Sequence, residues 1–243
     1  MKVYYDLHIH SGLSPCGSED MSPNNILNMS LIKGLDVIAV TDHNSIENVE
    51  VVYDLSKNMD LMVIPGMEIQ TQEDIHSIVL FETVEALKIF YNKMLPYQLK
   101  LPNKPEKFGH QHIYNAEDEV VGEVAHYLIV PFSINLEDMV QIVNDMEGVV
   151  FPAHVNRNSF SIINNIGFIP ENLQVNNLEW YKTPELDMNA YKNRMFKAYR
   201  PLFNSDAHDL IQISERENFL EVEEKSVKGI LNFLKSEVQR RII

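Results

Sequence analysis

Apolar residues along this chain of 243 recur in two rhythms. Short, mostly apolar runs at Val3 to Ile9, Val37 to Val40, Leu61 to Ile64, Val149 to Ala153 and Pro201 to Phe203 read as buried strands. Between them, apolar positions fall at helical spacing. Ser22-Pro23 opens one such segment, with proline suited to the first helical position, and Gly34 can close it. Ser45 precedes Ile46, Val49 and Tyr53; Thr83 precedes Val84, Leu87, Phe90, Tyr91 and Met94; Asn135 precedes Leu136, Met139, Val140 and Val143; Ser226 precedes Val227, Ile230, Leu231 and Leu234. Alternating strands and helices imply an α/β fold with a mostly parallel sheet. Residues 96–131 break the rhythm with Pro96, Pro102, Pro105 and Pro131 and an acidic turn at Asn115 to Glu119. This irregular insertion is too long for an ordinary connection and reads either as a surface excursion or as a cap over a site.

The strand candidates end in one kind of chemistry. The first delivers His8 and His10, which alternate onto the same face while Leu7 and Ile9 take the other. Two histidines so placed can merely satisfy buried hydrogen bonds, or they can grip a transition metal. The second run leads into Thr41-Asp42-His43, the fourth into His154, and the fifth through Asn204-Ser205 into Asp206-Ala207-His208. The run ending at Ile64 turns at Pro65-Gly66 and delivers Glu68, with His76 eight residues on. Chance would not gather so many nitrogen and oxygen donors at strand ends, so a metal site is expected.

In this order, Asp6-Leu7-His8-Ile9-His10-Ser11, Thr41-Asp42-His43-Asn44, Gly66-Met67-Glu68-Ile69, Pro152-Ala153-His154-Val155-Asn156-Arg157 and Ser205-Asp206-Ala207-His208 resemble the successive motifs of the PHP (polymerase and histidinol phosphatase) family. The resemblance implies a distorted seven-stranded, TIM-like (β/α) barrel, with two or three divalent metals at the C-terminal ends of the strands. By resemblance, His8, His10, Glu68 and Asp206 bind one metal, Glu68 bridges to a second held by His76 and His154, and His43 and His208 belong to a third. Glu68 and Asp206 are thereby also catalytic. Many relatives place Asp or His five residues after the second motif histidine, where this chain has Pro15; Cys16 or Asp20 could substitute. Cys16 reads first as a small hydrophobe in a buried loop, with a thiolate ligand as the alternative. Asp6 and Asp42 read as groups that orient imidazoles or shape turns. His110, His112 and His126, outside the motifs, are expected to serve surface or hydrogen-bonding roles.

The donor set suits zinc, manganese or iron better than magnesium or calcium. A divalent ion can lower the pKa of bound water from 15.7 to about 7 and supply hydroxide at neutral pH. The expected function is therefore metal-dependent phosphoester hydrolysis, acting on a small phosphomonoester or a nucleotide end, with Arg157 as a bidentate phosphate clamp and Lys182 as a weaker candidate. Amide or C–N hydrolysis and a non-catalytic metal-binding regulatory module are the alternatives. A polymerase-associated proofreading role fits less well.

Hydrophobic content of 45% suits a single domain spanning 1–243. No apolar leader, no run long enough to cross a membrane and one cysteine favour a cytoplasmic protein without membrane contact. A formal charge of −15 argues against long duplex nucleic acid as a partner and towards a small phosphorylated substrate. Oligomeric state has no signal in the sequence.

Overall fold

The computed structural model describes residues 1–181 and 196–238. Its elements, in chain order, are β1 (Lys2–Ile9), α1 (Pro23–Ile32), β2 (Val37–Val40), α2 (Val49–Ser56), β3 (Met62–Val63), β4 (Gly66–Gln70), β5 (His76–Leu80) and α3 (Val84–Met94). Then follow α4 (Pro105–Phe108), β6 (His112–Tyr114), β7 (Val120–Glu123), α5 (Leu136–Asp145), β8 (Val149–Pro152), α6 (Ile162–Ile166), β9 (Asn177–Glu179), β10 (Arg200–Leu202), β11 (Phe219–Glu221) and α7 (Val227–Lys235). The α/β class expected from the two rhythms is present.

Among the described residues, strand pairing forms four sheets, ordered β11-β1-β2-β3, β4-β5-β8, β10-β9 and β6-β7. β1, β2 and β3 pair in parallel, as do β9 and β10. β4, β5 and β8 pair antiparallel, which departs from the mostly parallel sheet expected. The reason is local: only residues 71–75 separate β4 from β5, enough for a hairpin and too few for a helical crossover. Single bridges tie the sheets together at the site, Ile9 to Ala207 and His43 to Glu68.

Apolar faces of these strands bury Val3, Leu7, Val37, Ala39, Ile64, Ile78, Phe151 and Leu202 in one cluster with Ile230, Leu231 and Leu234 of α7. Helices α3 and α5 cover the β4-β5-β8 sheet through Leu87, Phe90, Met139 and Val143. The expected caps hold at three helices, where Thr83 accepts from the Ala86 amide, Asn135 from Asp138 and Ser226 from Gly229. Two differ. Helix α2 starts at Val49 rather than after Ser45, because Asn44 is in the left-handed region and residues 44–48 make the turn out of β2. At α1, Pro23 takes the first helical position, but Ser22 caps nothing; its hydroxyl donates to Asp118, which accepts from the Asn24 amide in its place.

Asp118 belongs to the 96–131 insertion, which is packed against the body of the protein. The Asn48 side chain ties it down, accepting from the Tyr114 amide and donating to the His112 carbonyl and Ser11 Oγ. Gly109 and Gly12 permit the contact. A Cβ on Gly109 would lie 2.1 Å from the Pro15 carbonyl oxygen, and one on Gly12 would lie 2.3 Å from Tyr114 Oη. The insertion thus sits on the loop that follows His10.

Candidate metal centre

All eight expected metal-site residues come together. His8 and His10 leave β1 on one face, His43 follows β2, and Glu68 lies in β4. His76 begins β5 rather than ending it, because antiparallel pairing brings that strand's start beside the end of β4. His154 and Asp206 follow β8 and β10 in the left-handed region, at φ +31° and +53°. Such backbone costs roughly 1–3 kcal/mol per residue, and here it turns both side chains back toward Glu68 or its neighbours.

Glu68 is the hub. Its Oε1 lies 2.9 Å from His76 Nδ1, 3.4 Å from His8 Nε2 and 3.5 Å from His154 Nε2. Its Oε2 lies 2.6 Å from His43 Nδ1 and 3.5 Å from His10 Nε2. Asp206 Oδ1 is 3.1 Å from His8 Nε2 and 3.0 Å from His10 Nε2, and those two nitrogens are 3.0 Å apart. His208 stacks on His10 with ring centroids 4.2 Å apart. Burial alone would raise the Glu68 carboxyl, but His76, His43 and His8 outweigh it and hold the group well below the usual range.

These spacings fit metal ions. Donors sharing one ion at ~2.1 Å lie roughly 3.0 Å apart in octahedral and roughly 3.4 Å in tetrahedral arrangement. The His8, His10, Asp206 and Glu68 distances fall around those values. His76 Nε2 and His154 Nδ1 are buried without a hydrogen-bond partner among the described residues, a costly state that an ion at one of these nitrogens would relieve. Three donor groups, His8-His10-Glu68, His43-Glu68-His76 and His10-His43-His208, overlap through Glu68, His10 and His43. His43 therefore faces Glu68 directly as well as His208, closer to the hub than the expected third-metal grouping suggests.

Each β1 imidazole is held from behind. His8 Nδ1 sits 3.0 Å from both oxygens of Glu179, which also accept from the His154 amide and Asn204 Nδ2. Burial lowers His8, but Glu179, Asp206 and Glu68 overcome this and raise it well above its usual value. His10 Nδ1 lies 2.9 Å from Ser14 Oγ, which donates to Asp42. With Nδ1 so engaged, Nε2 is the nitrogen that each ring turns toward the centre. Asp42 also accepts from the Ser11 amide and hydroxyl. Asp6 accepts from the Ser205 and Ser214 amides and so shapes the loop carrying Asp206. Glu179, Ser14 and Asn204 were not singled out by the sequence reading.

Arg157 Nη1 lies 2.5 Å from Asp206 Oδ2, and its guanidinium stacks 3.9 Å from the Tyr181 ring while remaining 32% exposed. It lines a cavity of about 500 Å³ with Tyr181, Asp206, His208 and Lys33. Cys16 is exposed, beside His208 and His43. Burial of its thiol end acts to raise the pKa, but hydrogen bonds to His208 and His43 draw it down to about 7. Asp20 is at the surface. Lys182 lies outside the described residues.

A family model for the PHP domain matches residues 6–191. The chain belongs to the PHP domain family. An uncharacterised protein of Methanocaldococcus jannaschii is 32% identical over 114 residues, covering 44% of this chain and 61% of that one. Among solved structures, the lesion-specific endonuclease Endonuclease Q from Pyrococcus furiosus superposes with a TM-score of 0.66 at 20% identity, covering 97% of this PHP chain and 56% of its own. A Bifidobacterium adolescentis protein described as a candidate metal-dependent phosphoesterase gives 0.59 at 17%, covering 94% and 96%. The chain thus spans about three fifths of the first relative and little more than half of the Endonuclease Q chain. These likenesses show the fold.

One expectation is overturned. Net charge was taken to argue against long duplex nucleic acid, yet Endonuclease Q shares this PHP fold and has been solved with a 27-mer duplex bearing an abasic lesion at its active site. A formal charge of −15 sums over the whole surface. Binding answers to the local field near the site, so the sum excludes no such partner. Among the described residues, no helix is long and apolar enough to cross a membrane.

Proposed function

We propose that this PHP protein is a metal-dependent phosphoesterase whose reaction takes place at the Glu68 cluster. One observation carries the reading: seven buried donors carried by six strands and their adjoining turns converge at ion-sharing distances beside an arginine and an open cavity. His8, His10, Asp206 and Glu68 would hold one divalent ion, Glu68 with His76 and His154 would hold a second, and His43 and His208 would contribute to a third. Bound there, such ions supply Lewis-acid charge that acidifies water and offsets charge on phosphoryl oxygens.

The chain's own groups do the rest. Glu68 keeps its negative charge between five imidazoles and would offset repulsion between ions held beside it. Glu179 and the Ser14–Asp42 pair fix which nitrogen of His8 and His10 faces inward. Arg157 waits at the rim, one nitrogen spent on Asp206 and the remaining N–H groups unpaired among the described residues, so that they could meet two phosphoryl oxygens in parallel. The chain acts as one domain, and a small phosphomonoester or nucleotide end is the substrate class that suits a buried centre under a rim arginine. The test is a panel of phosphomonoesters, phosphodiesters and lesion-bearing duplexes assayed with protein stripped and then reloaded with zinc, manganese or iron. Phosphate release that returns only on reloading is expected. Reloaded protein inactive on every phosphoester, but active on amides, would refute the reading.

A further inference from the structure

We propose that His110, His112 and Glu123 form a separate transition-metal site on the β6–β7 hairpin, taking a zinc-class divalent ion. The sequence places His110 and His112 on either side of Gln111, so the two imidazoles share a face while Gln111 takes the other. The structure fixes that alternation. Gln111 is fully buried, its amide nitrogen donating to the Val124 and His126 carbonyls and its oxygen accepting from the Leu128 amide. His112 is paired across the hairpin with Glu123, and His110 reaches the same carboxylate diagonally.

The geometry is that of a chelate. Glu123 Oε1 is 2.8 Å from His110 Nδ1 and 3.3 Å from His112 Nε2, and the two rings stack with centroids 5.0 Å apart. Donors on one ion at ~2.1 Å would lie roughly 3.0–3.4 Å apart; the His112 separation falls in that range and the His110 separation about 0.2 Å below it. Two imidazoles and one carboxylate are a donor set suited to zinc, nickel or copper, with a remaining position open to water. His112 is only 14% exposed, while His110 and Glu123 are open enough for an ion to enter from solvent.

The site also answers a structural need. A two-stranded ribbon is marginal alone, and Val120 and Val121 of β7 are exposed rather than packed. An ion across His110, His112 and Glu123 would staple the two strands. His112 N donates to the Gly12 carbonyl, so the staple would stiffen the cap on the loop after His10. Without an ion, His110 hydrogen-bonds to Glu123.

Zinc is the probe. Protein with its central cluster already loaded is dialysed against micromolar zinc, counted by elemental analysis, and examined by amide hydrogen exchange. Wild type should hold one zinc more than the His110→Gln, Glu123→Gln double variant, and zinc should slow exchange across residues 112–123 in wild type alone. Central metals and any hydrolytic rate should be the same in both. The single His110→Gln variant, altered at a half-exposed side chain, should fold normally and bind that zinc more weakly by about tenfold or more. Equal zinc counts in wild type and both variants would overturn the proposal, as would hairpin exchange in wild type indifferent to zinc.

Discussion

Glu179→Gln tests whether the centre is tuned from behind. The carboxylate accepts from three donors, His8 Nδ1, the His154 amide and Asn204 Nδ2, at 3.0, 3.0 and 2.7 Å. Glutamine keeps the shape but replaces one acceptor oxygen with an NH2 group, so one of those buried donors must face another donor. An unsatisfied buried donor costs about 1–3 kcal/mol. For metal-free protein, a loss near 2 kcal/mol corresponds to roughly 4–8 °C in Tm for a chain of this size. In the loaded protein the damage is orientational, because His8 loses the partner that fixes its tautomer. Removing such a partner lowers metal affinity by about 10–100-fold. Chelator competition for zinc, read beside Tm and far-ultraviolet circular dichroism, measures both effects. A variant that folds like wild type, melts at the same temperature and holds zinc within about twofold of wild type would refute the role given to Glu179.

Glu68→Gln in metal-free protein isolates one titration. The folded carboxyl lies well below its usual range because His76, His43 and His8 outweigh burial. A depressed carboxyl contributes stability that is present above its unfolded pKa, near 4.3, and lost as pH falls through the folded value. The stability gap between wild type and Glu68→Gln should therefore be widest between about pH 5 and 6.5 and close on acidification; urea melts across pH that show a constant gap would count against it. Arg157→Ala should leave the metal content intact and lower kcat/KM about 10–100-fold, the loss of a charge-assisted contact, with Arg157→Lys recovering only part. His154→Ala should lose metal and activity together, and elemental analysis beside kinetics separates the two patterns. Chelation of loaded protein should lower Tm: an ion at 100 times its Kd contributes about 2.7 kcal/mol, or roughly 5–10 °C, and unchanged melting would mean that the folded cluster does not bind the ion preferentially.

The sequence made the front of this centre legible and hid its back. Alternation along β1 forces His8 and His10 onto one face, and strand-ending donors at His43, Glu68, His154, Asp206 and His208 follow from chain order, so seven of the eight donors could be placed by period and punctuation. Glu179 could not. It closes a three-residue strand too short to show a period, and its partner His8 lies 171 positions away. A sign was nonetheless present, because an imidazole that binds metal through one nitrogen needs an acceptor for the other. Asp118 was hidden in the same way. It caps α1 from 94 residues downstream, while the local rule pointed to Ser22. The antiparallel β4-β5 pair was decided by loop length, a feature that the strand-helix rhythm does not weigh.

What local pattern cannot hold is the coupling between such distant groups, and in this protein that coupling carries the chemistry. His8 and His10 are chemically alike and two residues apart, yet at His8 the charges of Glu179, Asp206 and Glu68 overcome burial and drive the ring up, while at His10 burial beside His208 and His43 drives it well down. The difference comes wholly from partners supplied by other strands. An ion arriving at Nε2 of both must displace a proton from His8 and meet a ring at His10 that is already neutral. The two donors thus present unequal barriers to loading. Metal uptake at this centre should accelerate with pH through the deprotonation of His8 rather than of His10, and Glu179→Gln, by withdrawing the nearest carboxylate charge from His8, should move that acceleration to lower pH. Stopped-flow zinc uptake showing the same pH midpoint in wild type and variant would disprove this coupling.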